Sequence, residues 1–292
     1  MVNLEKSYGK WILCGEHSVL RGVPALAFPV NSHYLQVSYE SGLEDLQVSC
    51  QGRSSDQIKL VIWGVLDKGL EIARAKRSDL KGYLKLDNSL PIGAGMGASA
   101  ALCVAVGKFF SQIGLITKEK VYSFSKELEN LFHGESSGVD IAVSLAGKGI
   151  KFIKDSGFKE LEVNWRPKWF LSYSGQIGVT SECVQKVKTL KLNQPEKFHQ
   201  IDSQMNESVV LAESALRLNE EEGLELLAKS MDLANNCFKQ WGLIPESVQQ
   251  HMDELKDLGA LSVKPTGSGG GGYVVSLWET LPLNLTFETI PL

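Results

Sequence analysis

The feature that most restricts the fold of this chain is the run Pro91-Ile92-Gly93-Ala94-Gly95-Met96-Gly97-Ala98-Ser99-Ala100-Ala101. It lies between a strand-like segment, 82–87, and an apolar helical one, 98–110. Three glycines at alternate positions let backbone N–H groups approach an anion, because no Cβ stands in the way. The following helix adds unpaired N–H donors and the positive end of its dipole. A phosphate fits there, and so does a plain strand-to-helix turn; the run alone leaves both open. It is not a Walker A loop, since no Gly-Lys-Ser/Thr is present. Gly93-x-Gly95-x-x-Ala98 has the outline of a dinucleotide fingerprint. That fold, however, requires a second parallel strand after the helix, and Gly114 and Thr117 lead into another helix instead.

The flanking patterns set the fold class. Strand-like runs at 11–14, 25–30, 34–39 and 46–50 come first, then a helical pattern from 56 to about 76. After the glycine run, 118–132 reads as helix, and short strands begin at 152 and extend to about 173. The second half is helical at 181–190, 196–218, 221–241 and 246–258, the last starting after Pro245. Strands at 261–264 and 272–277 flank a second glycine cluster. Strands and helices come in blocks, so the expected class is α+β. At 292 residues the chain can hold two domains, and the expected division is 1–166 and 167–292.

Composition excludes several functions. A net charge of −4 gives no global attraction to nucleic acid or acidic membranes, and no apolar run approaches the roughly 20 residues of a membrane span. The five scattered cysteines make no CxxC pair, so we expect reduced thiols acting as small buried residues in a cytoplasmic protein. The sequence allows a homodimer without dictating one.

Three further segments carry polar residues in unusual settings. Glu129 ends a helical stretch, and His133-Gly134-Glu135-Ser136-Ser137-Gly138-Val139-Asp140 turns into a new apolar run. Asp140 could be an N-terminal helix acid or a functional carboxylate. Near the N-terminus, Gly9-Lys10 opens an apolar strand that ends in Gly15-Glu16-His17-Ser18-Val19-Leu20. The second cluster is Lys264-Pro265-Thr266-Gly267-Ser268, with glycine at the four positions after it. It is either a flexible hairpin or backbone packed against a ligand or the other loop.

Taken together, these segments resemble the GHMP kinases, and within that family the mevalonate kinases. Gly15-Glu16-His17-Ser18-Val19-Leu20, His133-Gly134-x-x-Ser137-Gly138-Val139-Asp140, and Ser174-Gly175-Gln176 followed by Thr180 carry the likeness. The resemblance implies an N-terminal α/β domain of the ribosomal S5 domain 2 type and a C-terminal ferredoxin-like domain, with ATP and substrate in the cleft between them. It implies ATP-dependent phosphorylation of a small carboxylate-bearing alcohol, mevalonate to 5-phosphomevalonate. Gly93, Ala94, Gly95, Met96, Gly97, Ala98 and Ser99 would wrap the triphosphate. Ser99 and Glu129 would hold Mg²⁺. Asp140 would be the catalytic acid with Lys10 beside it, and Glu16, His17, Thr266 and Gly267 would contact substrate. Arg21 is a further candidate for the substrate carboxylate.

The chain departs from the family pattern at Tyr8, Met96, Ser268 and Ile141, and at Ala98, where the first of two paired serines is expected. None of these removes a proposed catalytic group. The rival readings are a phosphomevalonate kinase, a nucleotide-binding regulator without catalysis, and a dinucleotide-dependent oxidoreductase.

Overall fold

The computed structural model describes residues 1–133, 136–280, 285 and 287–292. Along the chain run β1 (Val2–Asn3), β2 (Ser7–Cys14), β3 (Ala25–Asp45), β4 (Gln47–Gly52), α1 (Ser55–Ala73), β5 (Lys81–Asn88), α2 (Ala98–Gln112), α3 (Val121–His133) and α4 (Val139–Ala146). Then follow β6 (Ile150–Ile153), β7 (Gly157–Glu160), β8 (Lys168–Tyr173), α5 (Thr180–Asn193), α6 (Pro195–Arg217), α7 (Glu220–Gln240), α8 (Glu246–Asp257), β9 (Ser262–Pro265), β10 (Tyr273–Trp278) and β11 (Thr289–Pro291). No described helix is long and apolar enough to cross a membrane.

The chain forms two compact units, and the N-terminal segment is shared between them. One contains Met1–Lys10 and Pro29–Gly147, the other Trp11–Phe28 and Lys148–Leu292. In the first, β5 pairs parallel with β4 and antiparallel with the later part of β3, with Leu35 opposite Asn88. Helix α2 is buried nearly all round, from Ala100 to Phe110, which explains its continuous apolar sequence. Phe110 packs on Phe124 of α3 at 5.1 Å between ring centroids.

The expected strands at 25–30 and 34–39 are one strand, β3. Asn31, Ser32 and His33 look like a turn in sequence, but none of them is glycine, and they continue extended with Asn31 and Ser32 facing solvent. Helix α1 stops at Ala73, short of 76, because Arg74 adopts φ 55° and the N–H of Ala75 returns to Leu70 O at 2.9 Å.

In the second unit, β11, β8, β10 and β9 form an antiparallel sheet in that order. Val248, Met252 and Leu255 of α8 share a core with Val263, Val274 and Trp278 of this sheet. Helices α6 and α7 are tied by a reciprocal pair: Ser208 Oγ donates to Ser230 O at 2.9 Å and Ser230 Oγ to Ser208 O at 2.8 Å. Trp11 stacks on Phe28, and both pack against Trp169. All five thiols are free; four are buried and Cys50 is partly so.

Candidate active site

In the first unit the glycine loop, Lys10 and Asp140 meet. The backbone N–H of Lys10 donates to Met96 O at 2.9 Å, and Met96 anchors the loop by being buried. Lys10 is only 6% exposed, and its ammonium lies 3.3 Å from Asp140 Oδ2. A buried ammonium is costly unless a partner of opposite charge compensates it, and Asp140 does so. Asp140 occupies the first turn of α4, where the helix dipole favours its negative charge. Gly97, at φ 73°, makes the approach of these groups feasible. A Cβ there would stand 2.9 Å from Lys10 Cγ and 3.6 Å from Asp140 Oδ2. Gly93 and Gly95 face open space instead. Ser99 is in the first turn of α2, half-buried, with Ala98 beside it.

Glu129 projects from α3 and is 2% exposed. Burial, and then the charge of Asp140, push its carboxyl up to about 7. Ser136 donates a hydrogen bond to its Oε2. A cation would relieve a buried carboxyl raised in this way, and a carboxylate oxygen is a ligand that a small hard cation takes. Gly134 and Glu135 of the same signature lie outside the described residues.

In the second unit Glu16 and His17 sit in a tight turn. Ser18 N–H donates to Glu16 O at 2.5 Å, with His17 between them at φ 57°, ψ −47°. This is a γ-turn of the rare positive-φ kind, a conformation that costs roughly 1–3 kcal/mol and persists only where surroundings enforce it. Those surroundings are explicit. Glu16 Oε1 pairs with Lys264 Nζ at 2.6 Å, and both side chains are fully buried. The same ammonium donates to the carbonyls of Pro265, at 2.6 Å, and Ile12, at 3.3 Å. Ser18 Oγ donates to Asp202 Oδ1 at 2.6 Å. The His17 ring packs edge-on against Trp241 and Phe238.

His17 Nε2 is 2.9 Å from Ser268 O, an acceptor, so Nε2 carries the proton and donates. Burial lowers the imidazole pKa to about 4, so the ring is neutral and Nδ1 is left as an acceptor. Thr266 Oγ1 accepts from Ile12 N–H at 2.8 Å and donates to Ile12 O at 3.0 Å, and Gly267 is buried just after it. The second glycine cluster is not a loose hairpin. Gly270 N–H donates to Leu243 O and Gly272 N–H to Gln176 O, at 2.8 and 2.7 Å, with backbone so close that side chains would not fit at Gly271.

Arg21, a candidate for a substrate carboxylate, is committed to a protein carboxylate. It reaches Asp202 through Nε and Nη2 at 2.5 and 2.6 Å and lies over the Phe198 ring. Three residues of these networks escaped the sequence reading: Lys264 as the Glu16 partner, Asp202 and Ser136. For Lys264 a signal existed, a lysine in an otherwise uncharged strand beside the glycine cluster. For Asp202, on a polar helix far along the chain, none did.

Comparison with known families decides the class. The model of the GHMP kinases N terminal domain matches residues 61–148, and that of the GHMP kinases C terminal domain matches 212–281; together they cover more than half of the chain. The chain belongs to the GHMP kinases. A GHMP kinase is an ATP-dependent small-molecule kinase, so the oxidoreductase reading falls away. Mevalonate kinase from Pyrococcus horikoshii is 29% identical over 296 residues, spanning 94% of this GHMP kinase and 88% of that protein. The crystal structure of L. major mevalonate kinase in complex with R-mevalonate superposes with a TM-score of 0.80 at 25% identity, covering 96% of this chain and 88% of that one. Streptococcus pneumoniae phosphomevalonate kinase, in complex with phosphomevalonate and AMPPNP, has the same fold, with a TM-score of 0.73 at 18% identity and coverage of 96% and 93%. The fold therefore does not separate the two activities.

Proposed function

We propose that this GHMP kinase transfers the γ-phosphoryl group of ATP to the primary hydroxyl of mevalonate. The likeness to mevalonate kinases over almost the whole chain supports the choice. The observation that carries it against phosphomevalonate is the state of the cations. A phosphorylated substrate brings about two negative charges and normally needs an additional Arg or Lys. Lys10 is paired with Asp140, Arg21 with Asp202, and Lys264 with Glu16.

In this reading the loop from Gly93 to Ser99 and the N-terminus of α2 hold the triphosphate by backbone donors. The hydroxyl oxygen forms a bond to the γ-phosphorus as the bond to the β,γ-bridging oxygen breaks, and ADP leaves with that electron pair. The hydroxyl proton passes to the Asp140 carboxylate. Lys10 pairs with Asp140 and offsets charge on the transferred group. Ser99 and Glu129 would hold Mg²⁺, which keeps several waters and so needs few protein ligands, and which supplies charge neutralisation of the phosphates. Glu16, His17, Thr266 and Gly267 form the substrate side, with His17 Nδ1 an acceptor for a substrate hydroxyl. The functional halves are taken as 1–166 and 167–292; each contains one of the two family matches.

The test is steady-state kinetics with mevalonate and phosphomevalonate on one enzyme preparation. We expect the higher kcat/KM for mevalonate. A higher value for phosphomevalonate would overturn the substrate and leave the reaction class standing.

A further inference from the structure

Ser136 is not among the residues that carry the likeness in the signature from His133 to Asp140, so the resemblance gives it no role. The structure gives it three bonds. Its hydroxyl donates to Glu129 Oε2. The same oxygen accepts from Gly138 N–H at 3.0 Å. Its own N–H donates to Asn130 Oδ1 at 3.1 Å. Glu129 and Asn130 belong to α3, Gly138 is the N-cap of α4, and Asp140 follows in the first turn. One hydroxyl thus ties a buried carboxylate to the start of the helix that bears Asp140.

A carboxylate has two oxygens, and a fixed partner on one sets the direction of the other. Hydrogen bonds behind a metal ligand orient it, and removing them typically costs about 10–100-fold in metal affinity. The sequence also has Ala98 where a second hydroxyl is expected in the phosphate loop, which leaves fewer oxygens to order the site. We infer that Ser136 is a positioning residue that holds Glu129 Oε2, so that the second carboxylate oxygen is directed to the cation in register with Asp140. This rests on reading Glu129 as an Mg²⁺ ligand.

The test uses Mn²⁺ as probe, its binding to the full chain measured by electron paramagnetic resonance with ADP present. Wild type, Ser136→Ala, Ser136→Thr and Glu129→Gln are compared, and the Mg²⁺ dependence of the rate is recorded alongside. We expect Ser136→Ala to raise the Mn²⁺ dissociation constant about tenfold or more. The Mg²⁺ needed for half-maximal rate rises in parallel, while kcat at saturating Mg²⁺ changes little. Ser136→Thr, which keeps the hydroxyl, restores both. If Ser136→Ala does not fold, Ser136→Cys replaces it, with a weaker donor of similar size and a smaller loss expected. Unchanged Mn²⁺ binding in Glu129→Gln overturns the metal reading and this inference with it. Weakened binding in Glu129→Gln but not in the serine variants overturns the inference alone. So does a loss in Ser136→Ala that Ser136→Thr fails to restore, since loop packing would then be the cause.

Discussion

Asp140 and Glu16 show two ways in which a carboxylate is made useful at the level of single residues. Asp140 is partly exposed, lies at a helix start and faces one lysine; Asp140→Asn keeps its size and removes the charge. We predict near-normal ATP binding and a kcat loss of roughly a hundredfold or more, the scale of a lost acid–base group. Steady-state kinetics with a nucleotide-binding titration checks this, and a change confined to KM would reduce Asp140 to a binding role. Glu16 is fully buried against Lys264. Lys264→Met strands the glutamate charge, and we expect a loss of about 3–5 kcal/mol in stability. The double variant Lys264→Met/Glu16→Gln should regain much of that loss in urea unfolding, and strictly additive losses would show that the pair does not couple. These residues were unequally legible in the sequence. A helix-start acid after Gly138 is a local pattern, so the place of Asp140 could be read. The partners Asp202 and Lys264 lie 181 and 248 residues from Arg21 and Glu16, and nothing in a local pattern announces a contact at that separation.

Among the elements, the long helices were legible because their apolar period continues through most of their length, whereas the eight-residue α4 was read only as an apolar run. Strand β3 was not legible, since polar residues on an exposed stretch of strand look the same as a turn. The glycine loop was legible as a phosphate candidate, but its contact with Lys10 was not; that depends on strand β2 running beneath it. Gly97 is where the loop and the strand meet. Gly97→Ala would put a methyl 2.9 Å from Lys10 Cγ and force a side chain into a positive-φ conformation. We predict that the fold survives, and that displacement of the Lys10–Asp140 pair lowers kcat on the order of a hundredfold, the cost of misplacing a reacting geometry by about 1 Å. Kinetics and a thermal melt on the same sample check it. An unchanged kcat with only the ATP KM raised would show that Gly97 serves the nucleotide alone.

At the scale of the whole molecule, the two compact units share the N-terminal segment, an arrangement that no single cut of the chain expresses. A sequence read from end to end has no signal for the exchange, because the segment's strands are continuous across it. The consequence for stability is that the strained Glu16–His17 turn, early in the chain, is held by residues from its far end, including Lys264 and Ser268. Protonation of His17 therefore bears on the folding of its entire unit. The ring has a pKa of about 4 in the fold, lowered by burial from the ordinary 6.5. Between those values the unfolded chain binds a proton that the native chain does not, so stability rises with pH there. The contribution is complete above about 6.5 and is lost as pH falls toward 4, in total about 3 kcal/mol. Glu129 works in the opposite direction: its carboxyl is raised to about 7, and its native form holds the extra proton between 4.5 and 7. Wild-type curves mix the two, so the measurement is a difference. His17→Gln keeps a donor for Ser268 O but cannot titrate. Denaturation of both proteins from pH 7.5 to 4 should give curves that converge as pH falls, the wild type losing its advantage. Parallel curves across that range would mean that His17 is not held neutral by the fold.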